Sequence, residues 1–284
     1  NVIICRESYM NRLFVAYKPK GVVSNHFLSQ LKRKYGVKKA GFSGILDPFA
    51  SGCLIVAFGA YTKLFNYLNI EPKIYRATLW LGASSNSGDN ENINQIHLPP
   101  TLDEAQIKNA LQNLQGKINY TPPKFSAKKI DGKRAYELAR AGSEFELKEC
   151  QMEVFSTKFI SYCHPFITFD IAVSAGSYIR SYAQILAKNL GQIGTLSALE
   201  RLSEGKFKFE NEIPLNPLEY LNLTKNSYKG DTKDIILGKK LKCSDFETSS
   251  DGEYLIELDD TFSIIKIENQ EVKYAINRME KCLY

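Results

Sequence analysis

Three observations predict an α+β fold with a small β-rich unit at the end. Strand-like and helix-like segments are interspersed through the first two hundred or so residues. Adjacent strand patterns near the middle of the chain read as a hairpin, which is an antiparallel device. The last fifty residues carry three short strand patterns, and the chain's 284 residues suit one large core with a small appendage. The expected division is a domain over residues 10–225, a β-rich domain over 232–284, and an extension of unknown role over 1–9, with Met10 as a natural start.

The elements follow in order. "RLFVAY" is apolar and strand-like and ends at Lys18 and Pro19. "NHFLSQLKRKYG" predicts a helix with Asn25 as N-cap and Gly36 as its stop. "CLIVAFG" is a short buried strand, "AYTKLFNYL" a short helix, and "KIYRATLWLG" a long strand before the polar loop "ASSNSGDNENINQ". "TLDEAQIKNALQNL" opens on a T-x-x-E pattern, Thr101 and Glu104, and predicts an amphipathic helix. "RAYELARAG" is a further helix, stopped at Gly142. "QMEVFSTKFISYC" and "FITFDIAVSAG" pair as strands, and "SYIRSYAQILAKNLG" carries a helical stripe of Tyr178, Tyr182, Ile185, Leu186 and Leu190. "NLTKNSYKGDTKD" reads as a linker, and "EYLIELDD", "FSIIKIEN" and "EVKYAIN" as the terminal strands.

Composition narrows the function classes. Hydrophobic residues make up 44% of the chain, enough for a sizeable core. The longest apolar runs fall short of the ~20 residues that span a bilayer, and "NVIICRESY" lacks the features of a secretory signal. Six scattered cysteines without a CxxC pair predict reduced thiols, and three distant histidines predict no metal site; the expected compartment is the cytoplasm. Net charge is +6 but uneven. Lys32, Arg33, Lys34, Lys38 and Lys39 form one basic cluster, and Lys124, Lys128, Lys129, Lys133 and Arg134 a second. Tyr35 and Phe125 sit among them, which favours a nucleic-acid backbone as partner over two merely solvated faces. Residues 245–268 hold eight acids and one base, a poor grip for such a partner.

The most informative stretch is "AGFSGILDPFASGCLIVAFG", residues 40–59. Four glycines surround one acid, Asp47, which Pro48 stiffens and which Leu46, Phe49 and Ala50 flank. A bare Asp-Pro is most often a turn; the glycines around this one leave room for another backbone to approach. Arg180 lies in the first turn of a predicted helix, where a cation opposes the helix dipole, so a nearby acid is expected to compensate it.

These residues carry a resemblance to the bacterial tRNA pseudouridine-55 synthase family, the TruB type. "YKPKGVVSN", "GFSGILDPFASGCLIVAFGAYTK", "KIYRATLWLG", "PPKFSAKKIDGKRAYELARAG", "SAGSYIRSYAQILAKNLG" and "LERLSEGKF" follow the family's order across residues 14–209. The resemblance implies the pseudouridine synthase fold, with a mixed, mainly antiparallel sheet core and flanking helices, a PUA-like C-terminal domain, monomers, and the TΨC arm of tRNA as partner. It implies isomerisation of uridine without a cofactor, the N1 glycosidic bond being replaced by a bond from C5.

It assigns the catalytic role to Asp47, either as nucleophile at the sugar or as the group that starts elimination. Arg180 pairs with that acid, and Tyr75 stacks on the flipped base, with a proton-handling role open to it. Tyr178 and Leu199 line the same pocket, while Lys18, Pro19 and Gly21 support the loop from beneath. Phe42 stands where the family has histidine, so it keeps a stacking role and loses the titrating one. The family's T-D-T-x-D-x-x-G after Gly82 is replaced by "SSNSGDNEN", which leaves that loop's RNA contacts unassigned. A non-catalytic RNA-binding module is disfavoured because both Asp47 and Arg180 are present.

Overall fold

The computed structural model describes residues 11–130 and 132–282. Met10 as a start and the extension over 1–9 lie outside the described residues. The chain opens with β1 (Arg12–Lys18), α1 (Ser24–Tyr35), β2 (Ala40–Phe42) and β3 (Ser51–Phe58), followed by a 3-10 helical run over Gly59–Tyr67. Next come β4 (Lys73–Leu81), β5 (Ala83–Ser85), β6 (Ile93–Ile96), α2 (Glu104–Asn113) and β7 (Gly116–Tyr120). The short β8 (Lys129–Ile130), β9 (Lys133–Arg134) and α3 (Ala135–Arg140) precede the long hairpin of β10 (Cys150–Cys163) and β11 (Phe166–Val173). α4 (Ile179–Asn189), β12 (Gly194–Glu204) and β13 (Phe207–Lys208) complete the main sheet. The remainder holds β14 (Thr224–Lys225), α5 (Thr232–Ile236), β15 (Gly252–Glu257), β16 (Thr261–Glu268) and β17 (Glu271–Glu280).

Among the described residues, nine strands form the main sheet in the order β1-β3-β12-β4-β11-β10-β7, with β2 beside β3 and β13 beside β12. Its pairings are antiparallel except where β12 meets β3, with Glu200 opposite Ser51 and Arg201 opposite Gly52. A second sheet runs β14-β15-β16-β17. The fold class therefore matches the sequence expectation.

Burial explains the patterns. Every residue of β3 is buried, as its unbroken apolar run requires of a strand covered on both faces. On one face Leu54, Val56 and Phe58 join Phe14 and Ala16 of β1 against Phe27 and Leu31 of α1. On the other, Ile55 and Ala57 join Leu13 and Val15 against Leu255, Phe262 and Ile264 of the C-terminal sheet. Farther along, alternate residues of β4 and β11 (Ala77, Leu79, Ile167, Phe169) bury against Ile107 and Leu111 of α2 and Tyr182, Ala183 and Leu186 of α4.

Three local expectations are corrected. Helix α1 starts at Ser24, with Val23 at the N-cap position and no side-chain cap, so Asn25 is inside the helix. The cap of α2 is Asp103, which accepts from the Ala105 N–H at 3.0 Å while Gln106 accepts from the Asp103 N–H at 3.2 Å; Thr101 and Glu104 form no such box. The expected linker contains β14, which pairs in parallel with β15, and the start of α5. Its polar composition hid a two-residue strand on a sheet edge.

Candidate active site

The Asp47 loop, residues 43–50, closes the hairpin of β2 and β3. Leu46 and Phe49 are buried in the main core, so the acid between them is turned toward the cavity side of the loop. Two contacts fix the backbone. The Ser24 hydroxyl donates to the Leu46 carbonyl at 2.9 Å and accepts from the Leu46 N–H at 3.1 Å. The Gly21 N–H donates to the Pro48 carbonyl at 2.8 Å. Buried Lys18 holds the same turn from within, its Nζ donating to the carbonyls of Pro19 at 2.9 Å and Val22 at 2.8 Å. The Lys18, Pro19, Gly21 turn thus lies directly against the Asp47 loop, and Ser24, whose partner is far away in sequence, adds a clamp that local pattern could not show.

Asp47 opens into a cavity of about 260 Å³ that Tyr75, Tyr178, Arg180 and Leu199 also line. Arg180 reaches its carboxylate at 2.9 Å through Nη2. The guanidinium is 3% exposed and nearly surrounded by acceptors. Nη2 also donates to the Phe125 carbonyl at 2.9 Å, and Nη1 donates to the Ser87 carbonyl at 2.6 Å and faces Asp89 at 3.5 Å. These acceptors offset the unfavourable position of a cation in the first turn of α4.

Asp89, the second carboxylate facing Arg180, is not among the residues expected from the sequence. It lies in the loop between β5 and β6, buried, accepting from the Ser87 hydroxyl at 2.5 Å and the Glu91 N–H at 3.0 Å. The signal was present: aligning Ser85 and Ser87 with the two threonines of T-D-T-x-D puts Asp89 on the second aspartate.

Burial pushes the Asp47 carboxyl above the usual carboxylate range; Arg180 opposes this, Asp89 adds to it, and Lys18 opposes it. The group is crowded by protein on most sides, yet about a third of its side chain remains accessible through the cavity mouth. Lys18 is itself lowered to about 8, chiefly by burial.

Phe42 is not among the cavity-lining residues. It sits on β2, partly buried against the cluster of Phe27, Leu31 and Phe58. The second basic cluster flanks the cavity: Ala127 lines it, Phe125 is tied to Arg180, and Lys124, Lys129 and Lys133 of the same segment are exposed. In the first cluster Lys34 is paired with Glu212 at 2.5 Å, whereas Arg33, Lys38 and Lys39 are exposed. Among the described residues, no group of three or more His, Cys, Asp or Glu side chains is placed to hold a metal ion, and no helix is long and apolar enough to cross a membrane.

A model of the TruB family pseudouridylate synthase N-terminal domain matches residues 32–179. Proteins named tRNA pseudouridine synthase B from Campylobacter curvus and Campylobacter concisus are 59% and 55% identical over 96% of this chain and all of theirs. One from Sulfurimonas denitrificans is 52% identical over 95% of this chain and all of its own. A solved Cbf5-Nop10-Gar1 complex contains a chain of similar fold, with TM-score 0.66 and 19% identity, covering 97% of this chain and 86% of that one. With its Asp47 loop inside the matched region and its likeness running the full length of these relatives, the chain belongs to the TruB family of pseudouridylate synthases.

Proposed function

We propose that this enzyme isomerises uridine to pseudouridine at position 55 in the TΨC loop of tRNA, with Asp47 as the catalytic group and the target base flipped into the cavity. The observation that carries the reading is the ion pair of Asp47 with Arg180 on the floor of a cavity walled by Tyr75, Tyr178 and Leu199. A carboxylate held there can act on the sugar carbon or start elimination, while aromatic and apolar walls accept an unstacked base. The relatives' common name, matched along their whole length, supports tRNA as the substrate.

In this reading Arg180 keeps Asp47 ionised and aimed, Tyr75 stacks on the base, and Tyr178 and Leu199 complete the pocket. Phe42, outside the cavity, meets the RNA at its rim. The exposed lysines of both basic clusters meet phosphates, and the shape of the TΨC arm supplies selectivity. Residues 10–225 carry catalysis and residues 232–284 an auxiliary unit, in a monomeric cytoplasmic enzyme that needs no cofactor. Mapping the product nucleoside in a tRNA transcript after incubation tests the reading. Pseudouridine at that single TΨC position is expected; pseudouridine elsewhere, or none, contradicts it.

A further inference from the structure

The cavity holds charge beyond Asp47 and Arg180. Lys73 and Arg201 also line it, and both pair with Glu204, Lys73 at 2.6 Å and Arg201 at 3.0 Å. Glu204 is fully buried, Arg201 is 1% exposed and Lys73 7%. Three charges in such a place are costly to bury even when paired.

Arg201 has an evident structural task. Its Nε donates to the Cys53 carbonyl at 2.8 Å and its Nη2 to the Gly44 carbonyl at 3.0 Å, so one guanidinium grips both sides of the loop that carries Asp47. Gly44 must lack a side chain here: its φ is +61°, and a Cβ would stand 2.7 Å from Lys73 Nζ. Lys73 has no such task. Among the described residues its only partner is the Glu204 carboxylate, which leaves ammonium donors unassigned at the cavity wall.

The strand register says what those donors would meet. On β4, Lys73 is two residues from Tyr75 and shares its face, and across the pairing Tyr75 lies opposite Arg201 and Ala77 opposite Leu199. The platform offered to a base by Tyr75 and Leu199 is therefore continued along the strands by two cations carrying one carboxylate between them.

Resting on the uridine-isomerase reading above, we infer that Lys73 is a further catalytic residue, the one that stabilises the detached base. When the bond from C1′ to N1 breaks, its electron pair leaves with uracil, whose negative charge spreads over N1, O2 and O4. The base then turns, C5 uses an electron pair to bond C1′, the C5 proton is lost and N1 gains a proton. Composition is unchanged, and Lys73 donates hydrogen bonds throughout without being consumed. This need exists whether Asp47 attacks the sugar or starts elimination. Arg180 cannot meet it, because Asp47 and Asp89 already share its charge. An ammonium fixed at the wall, its position set by Glu204, stabilises charge as it develops.

The test uses the full chain and a stem-loop RNA bearing uridine or 5-fluorouridine at the target position. Fluorine makes the departing base a better-stabilised anion, so less help is needed from the protein. Consumption of the target nucleoside under single turnover is measured, together with RNA affinity. Lys73→Met is expected to slow uridine about 10²-fold at unchanged affinity, and 5-fluorouridine by about tenfold or less. Because Lys73→Met leaves Glu204 with one cation, the double variant Lys73→Met/Glu204→Gln is run in parallel and is expected to show the same dependence on the base. Equal losses on both substrates mean that Lys73 only props the loop, and no loss means that it has no role; either overturns the inference. Wild-type turnover of uridine, recorded in the same series, reports separately on the isomerase reading.

Discussion

Replacing Arg180 by lysine separates positioning from mere charge. The guanidinium meets four acceptors: Asp47 at 2.9 Å, the Phe125 carbonyl at 2.9 Å, the Ser87 carbonyl at 2.6 Å and Asp89 at 3.5 Å. A single Nζ cannot span the two sides of this array, so lysine keeps about half of it. If it stays with Asp47, the Ser87 carbonyl and the buried Asp89 lose their cation; if it moves to Asp89, Asp47 does. Two lost charge-assisted contacts at a site only 3% exposed cost about 3–5 kcal/mol of folding stability. The catalytic cost follows from geometry, since a carboxylate displaced by about 1 Å loses about 10²-fold in rate. Urea unfolding measures the first quantity. Single-turnover release of tritium from C5 of labelled uridine in a tRNA transcript measures the second, with affinity expected to hold within a few-fold. Near-wild-type turnover by this variant would mean that charge alone suffices and that the planar array is irrelevant.

Asp89→Asn should move the acid limb of kcat/KM to lower pH. Asp89 raises the Asp47 pKa, so removing its charge lowers that pKa and leaves more of Asp47 ionised at a given acidic pH; a limb that stays put or moves upward contradicts this. The same variant should lose about tenfold in kcat at neutral pH, because Arg180 is held less firmly. Neutralising Lys38 with Lys39, or Lys129 with Lys133, should weaken tRNA binding and flatten its salt dependence by about one unit of slope per lost phosphate contact, with turnover of bound tRNA little changed. Unchanged salt slopes would remove those side chains from the RNA surface.

Some of the site was legible in the sequence because its chemistry is locally dense. The glycine-rich block draws attention to Asp47, the cation placed against its own helix dipole hints at a nearby acid, and the family resemblance pairs the two. The strands and helices of the main sheet follow from periodicity, since burial on one face leaves a period that residues such as Ala77, Leu79 and Leu81 record. What escaped depends on contacts between distant segments. Ser24 reads as an ordinary residue near a helix start until its hydroxyl is seen bridging the backbone of Leu46. Asp89 sits in a polar loop whose composition alone suggests solvent. The cluster of Lys73, Arg201 and Glu204 is invisible because three charges on strand patterns look like an exposed face; only the alignment of β4 with β12 buries them together. Phe42 shows the reverse case, where a position in the motif does not place its side chain in the cavity.

If Asp47 performs the chemistry, Asp47→Asn should abolish it without unfolding the protein. The amide preserves size and part of the hydrogen bonding to Arg180 but can serve neither as nucleophile nor as base. With labelled tRNA in single turnover, the variant should fold, bind with affinity close to wild type, and release C5 tritium at least about 10⁴-fold more slowly. Release within tenfold of the wild-type rate would contradict the assignment and place the reacting carboxylate elsewhere.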